Sequence, residues 1–276
     1  MKTIDLSHKE IKSFNDTLLK ELPHDIEMLY LWNNQISSFK HSEKLPRNLK
    51  KLHLWKNQIS TFKGCENLPI NLEEISIWCN QISSFDHSEK LPKGLKKLFI
   101  GFNQISSFKL CDLPKGLKRL DLESNQISSF EFSEKLPMDL KKLYLDSNQI
   151  SSFKHSENLP KNLKKLSLWK NQINSFEHSE NLPRNLEKLN LYGNQISSFK
   201  GCENLPRNLK KIIIDRDQFK FEPSLETIKF LQHYQDFIPI LNEIKYNPRL
   251  ERMKSKLKEE EKQIKEDPES FYKSII

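Results

Sequence analysis

Cysteine and histidine side chains are the groups in this sequence whose types and spacing could carry chemistry, as disulfides or as metal ligands. Three of the four cysteines, Cys65, Cys111 and Cys202, share one phase of a repeating unit, and four of the eight histidines, His41, His87, His155 and His178, share another. Units stacked at the ~4.8 Å spacing of paired strands put Cys65 and Cys111 ~10 Å apart and Cys202 farther still, beyond the ~7 Å between Cα atoms that a disulfide tolerates. Equivalent positions hold Ser42, Ser88, Ser156 and Ser179, so the position asks for a small residue. Among the histidines only His155 and His178 fall in adjacent units, whereas a metal needs three or four converging ligands. Neither a disulfide framework nor a metal site is expected, no cofactor is implied, and no catalytic constellation appears. The chain is not expected to be an enzyme.

The elements that position these side chains follow from a period. Asn34, Asn57, Asn80, Asn103, Asn125, Asn148, Asn171 and Asn194 are separated by 23, 23, 23, 22, 23, 23 and 23 residues, a spacing that announces a solenoid. Each unit reads Leu-x-x-Leu-x-Leu-x-x-Asn-Gln-Ile-x-x-Phe, then a variable stretch and Leu-Pro. In the second unit these are Leu49, Leu52, Leu54, Asn57, Gln58, Ile59, Phe62, Leu68 and Pro69. The alternation of Leu52 and Leu54 has the period of a strand. Prolines such as Pro46 and Pro160 suit an extended return segment, which has no ladder hydrogen bond to lose.

This pattern resembles the leucine-rich repeat, whose signature L-x-x-L-x-L-x-x-N-x-L it matches in eight successive units. The resemblance implies an α/β solenoid: a horseshoe with short parallel strands on its concave face, and the Asn row satisfying main-chain groups at the turns. The Leu-Pro-x-x-Leu junctions are similar to the LPX repeats of secreted bacterial effectors. The long Lys- and Asn-rich units with Ile-x-x-Phe resemble repeats of giant viruses and amoebal parasites. Effectors of the LPX class sometimes append a ubiquitin-ligase domain with a catalytic Cys. No cysteine follows Cys202, so that activity is not carried over. The expected organisation is an N-terminal capping repeat over 1–25, eight repeats over 26–206, a degenerate last repeat over 207–221, and a helical C-terminal cap with a charged tail over 222–276. In that last segment Leu225, Ile228 and Leu231 stand at helical spacing behind Ser224 as N-cap, and Leu250, Met253, Leu257 and Ile264 form a sparser apolar row.

Residues flanking the second strand leucine point away from the core, and they form two columns that vary while the framework does not. The first contains Tyr30, His53, Phe99, Asp121 and Tyr144. The second contains Trp32, Trp55, Trp78, Gly101, Glu123, Asp146, Trp169 and Tyr192. The spacing predicts an aromatic band over Trp32, Trp55 and Trp78, joined by Tyr30 and extended by Phe99 and Phe102. An acidic patch of Asp121, Glu123 and Asp146 follows, and then Trp169 and Tyr192. Contiguous exposed apolar surface marks an interaction site, so these residues are the expected anchors for a protein or peptide, with the acidic patch selecting basic groups on it. Paired cations ahead of each strand, such as Lys96/Lys97, Lys118/Arg119 and Lys141/Lys142, suggest a basic rim broken by Glu73/Glu74 and by Glu187. That rim offers an alternative, binding of nucleic acid or another polyanion, which the nearby acidic patch disfavours. A third reading is a targeting subunit for a separate enzyme.

Composition bounds the rest. Apolar residues make up 36% of the chain and charged residues 30%, and no apolar run approaches the ~18 residues of a membrane span, so no membrane span is expected. The formal charge of +8 over 276 residues decides nothing by itself. The opening "MKTIDLSHKE" lacks the apolar core of a cleavable export signal. Free thiols fit an intracellular, reducing compartment, in the protein's own cell or, for a secreted or viral factor, in a host.

Overall fold

In the computed structural model, which describes residues 2–197 and 201–214, each unit contributes one three-residue strand to a single parallel sheet. The strands are β1 (Thr3–Asp5), β2 (Met28–Tyr30), β3 (Lys51–His53), β4 (Glu74–Ser76), β5 (Lys97–Phe99), β6 (Arg119–Asp121), β7 (Lys142–Tyr144), β8 (Lys165–Ser167), β9 (Lys188–Asn190) and β10 (Lys211–Ile213). They pair in chain order, with Leu29, Leu52, Ile75, Leu98, Leu120, Leu143, Leu166 and Leu189 in lateral register. The fold is an open parallel solenoid. No helix among the described residues is long and apolar enough to cross a membrane.

One face of the sheet is sealed by the framework side chains. Leu49, Leu52, Leu54, Ile59 and Phe62 are fully buried, and so are their counterparts along the core. The phenylalanines form a continuous column, with Phe85 and Phe108 stacked at 6.3 Å between ring centroids. A single coil cannot bury its leucines alone, so stability arises from coil-on-coil interfaces.

The asparagine row joins the coils. Asn57 Oδ1 accepts from Ile36 N at 2.9 Å, and its Nδ2 donates to Leu31 O of the preceding coil and to Leu54 O of its own, both at 2.9 Å. Asn80, Asn103, Asn125 and Asn148 repeat the arrangement. The residue before each Asn sits in the left-handed region, as at Lys56 (φ 53°) and Lys170 (φ 51°), which turns the chain out of the sheet.

The return path differs from a plain extended segment. Seven coils carry a one-turn 3-10 helix there, for example Ser42–Lys44, Cys65–Asn67 and Ser156–Asn158. Leu-Pro then leads back in extended conformation. The only α-helix among the described residues is the four-residue α1, Thr17–Lys20, so strand and 3-10 turn, rather than strand and α-helix, make up these seven coils. The residue ahead of each 3-10 helix has positive φ, at 69° in His41, 65° in His155 and 90° in Gly64. Histidine is among the side chains enriched in this left-handed region, and glycine enters it freely. The histidine phase therefore answers a backbone requirement. The first residue of each 3-10 helix is buried, which accounts for the interchange of Ser and Cys. All four cysteines are free thiols, and burial pushes Cys65 and Cys111 up to about 12. The helical segments expected from Ser224 onward lie outside the described residues.

Candidate functional site

The solvent face of the sheet carries three columns. Residues at the first and third position of each strand share this face, as their exposure on either side of a buried leucine shows in β3, β5 and β7. The ladder continues past the strands, with Leu54 N bonded to Ser76 O and Lys56 N to Trp78 O. The column two residues beyond each strand is thereby held in register too. The paired cations do not both precede the strand. The second of each pair opens it, so Lys51, Lys97, Arg119, Lys142 and Lys165 form the first column, interrupted by Glu74.

The aromatic side chains group differently from a single band. Trp32 and Trp55 stack at 4.8 Å and 19°, with the edge of His8 on Trp32 at 4.2 Å. Lys56 Nζ stands 5.6 Å over Trp55. Trp78 leans the other way: its ring meets Phe102 at 5.2 Å and covers Gly101, where a Cβ would come within 2.4 Å of Nε1. Among the described residues Trp78 forms no ring pair with Trp55, and its buried Nε1 has no hydrogen-bond partner. Tyr30 pairs with His53 at 4.9 Å. Phe99 is capped by Arg119, whose guanidinium carbon stands 4.8 Å from Phe99 and 4.5 Å from Tyr144. Trp169 carries Lys170 Nζ at 4.4 Å, and Tyr192 is 48% exposed. The structure thus gives two separate ring pairs, Trp32 with Trp55 and Trp78 with Phe102, and beyond the carboxylates Trp169 and Tyr192.

Those carboxylates are unequal. Asp121 and Asp146 are buried, at 6% and 8% exposure, while Glu123 is half-buried. Asp146 Oδ1 accepts from Ser167 Oγ at 2.5 Å and from Trp169 N at 2.8 Å, so it fixes the main chain beneath Trp169. Asp121 Oδ2 accepts from Arg119 Nη2 at 3.4 Å. Burial raises all three carboxyls above their ordinary range, and Asp121 and Asp146 raise Glu123 further. Glu123 is the member that solvent reaches. Among the described residues no three His, Cys, Asp or Glu side chains are placed to hold a metal.

The paired cations are partly neutralised within the protein, for the most part at the residue that precedes the strand and not in the column itself. Lys97 pairs with Glu74 at 3.1 Å, Lys118 with Asp139 at 2.6 Å, and Lys164 and Lys210 with Glu187 at 2.7 and 3.4 Å; Lys50 pairs with Glu27. Glu74 also lies 3.6 Å from His53 Nε2, while burial lowers the His53 pKa.

Column membership does not reveal Lys56 and Lys170, the bed that Gly101 offers to Trp78, or the clamping role of Arg119. The "WKNQI" shared by Trp55 and Trp169 was a usable signal for the two lysines, because one motif folds its lysine over its tryptophan in both coils.

Residues 161–201 match the family model described as Leucine Rich repeats (2 copies). Among solved structures, the chain is similar to an internalin (inlF) from Listeria monocytogenes, with a TM-score of 0.64 and 19% identity over 84% of this chain and 65% of that one. It is similar to internalin C2 (inlC2) of the same organism, with a TM-score of 0.54 and 24% identity over 67% and 79%. A chain of the octameric complex of latrophilin 3, Unc5D and FLRT2 (LRR) matches with a TM-score of 0.58 and 22% identity over 84% and 80%. The chain spans less than two thirds of the inlF internalin. These likenesses establish a leucine-rich-repeat fold. No curated protein matches the chain.

Proposed function

We propose that this chain is a noncatalytic recognition module that docks a protein or peptide on the solvent face of its sheet. The leucine-rich-repeat fold is commonly a protein-interaction module, which supports a binding role. The observation that carries the reading is the stacked pair Trp32 and Trp55, held in register with its rings on a solvent-facing column. Rigid aromatic surface ordered before a partner arrives costs little entropy on binding, as in interface hot spots. Tyr30, Trp78 and Phe99 extend this surface on one side, and Tyr144, Trp169 and Tyr192 on the other. Asp121 and Asp146 hold the acidic ground between them, and Glu123 meets basic groups of the partner. The likeness of the Leu-Pro junctions to those of secreted effectors supports a partner in a host cell.

Affinity capture with the wild type beside a Trp32→Ala/Trp55→Ala/Trp78→Ala variant tests the reading, with thermal melts confirming that both are folded. The expected result is loss of specific partners from the variant, with binding only weakly dependent on salt. Identical capture by both would overturn it. Affinity that collapses with salt and depends on Lys142 and Lys165 instead of the tryptophans would point to a polyanion.

A further inference from the structure

A second row of asparagines runs just ahead of the strands. Asn48, Asn71, Asn162, Asn185 and Asn208 each donate from Nδ2 to a main-chain carbonyl of the preceding coil at 2.9 to 3.2 Å. Three consecutive coils break the row, with Gly94, Gly116 and Asp139 in its place. The acceptors are still present. A Cβ on Gly94 would stand 3.5 Å from Ile70 O, and one on Gly116 3.9 Å from Lys93 O. The return path weakens in the same region: the coil from Asn103 to Asn125 is one residue shorter than the others. No 3-10 helix stands between Ser88–Lys90 and Ser133–Lys135. On the sheet face, three like charges, Asp121, Glu123 and Asp146, crowd adjacent coils there. What spans the region is the sheet itself, the buried core with its Phe85–Phe108 stack, the first asparagine row, the Asp112 N to Ser88 Oγ bond, the Lys118–Asp139 ion pair, and Arg119 stacked between Phe99 and Tyr144.

We propose that the coils between Leu91 and Leu140 form a seam at which the solenoid opens as two cooperative blocks, one carrying β1 to β4 and the other β7 to β10, latched on the sheet face by Arg119. Solenoid stability is a sum of coil and interface contributions, so consecutive weak interfaces localise opening. Each missing amide removes one hydrogen bond to the preceding coil. The seam separates the Trp32–Trp55 stack from Trp169 and Tyr192, so a ligand touching both would close it. The inference stands independently of whether the face binds a partner.

Native-state hydrogen exchange of the full chain tests this. The amides of Lys96, Lys118 and Lys141 bond to the preceding coil within the seam, and those of Lys50 and Lys164 do the same outside it. The seam amides are expected to be at least about tenfold less protected than the flanking ones. The variant Gly94→Asn/Gly116→Asn, which leaves the Lys118–Asp139 ion pair in place, rebuilds two places of the row and is expected to raise seam protection by about tenfold, leaving the flanks unchanged. Arg119→Ala is expected to lower seam protection selectively. Uniform protection across all five amides of the wild type would overturn the seam, and a folded rebuilt variant with unchanged exchange would remove its stated cause. Exchange unaltered by Arg119→Ala would remove the latch.

Discussion

The indole of Trp78 lies across the main chain at Gly101 because no Cβ stands in its way. Gly101 does not have positive φ, so alanine is compatible with the backbone there and its cost is purely steric. Gly101→Ala is expected to displace the indole and destabilise the fold by about 1–3 kcal/mol, in the range of overpacked sites. Urea unfolding and the tryptophan emission spectrum read both effects, and an unchanged midpoint and spectrum would contradict the placement of Trp78. That Trp78 faces solvent could be read from its position two residues past Ser76, which alternates with the core residues Ile75 and Ile77 in a period-two pattern. Its turn away from Trp55 could not, since ring orientation depends on the space a neighbouring coil leaves. Arg119 is similar: its column was legible, but its seat between Phe99 and Tyr144 depends on which side chains the adjacent strands present.

A column of side chains at strand spacing makes neighbours of residues 23 positions apart, and like charges in it oppose one another. Glu123 shows the consequence. Burial, then Asp121 and Asp146, raise its pKa, against the opposing Lys170. The folded chain therefore holds this proton more tightly than the unfolded chain. The penalty is absent below the unfolded pKa and complete once the pH exceeds the folded one. Glu123→Gln is expected to be more stable than the wild type at pH 7, with the difference vanishing below about pH 4. Urea midpoints across that range check it; a difference independent of pH would contradict it. At this scale the strands were legible from Leu-x-Leu repeated in register. The 3-10 turns were not, because a single turn has too few residues for a periodic signal. The interchange of His41 with Gly64 at one phase was the available clue, since both suit positive φ.

For the whole molecule, eight units of nearly constant length make the solenoid and its two variable columns readable in the sequence. The seam was not readable in the same way, because Gly94, Gly116 and Asp139 gain meaning only once the carbonyls their counterparts bond to are located. The architecture gives the chain two distinct surfaces, a sheet face with ordered aromatic rings and a return face of 3-10 turns bearing exposed residues such as Glu66 and Glu157. In the proposed function it is the sheet face that meets a partner. Photo-crosslinking with benzoylphenylalanine placed in turn at Trp55, Tyr192, Glu66 and Glu157 separates the two directly. Adducts with the same partner from Trp55 and Tyr192, and none from Glu66 or Glu157, are the expected result; adducts confined to Glu66 and Glu157 would contradict it.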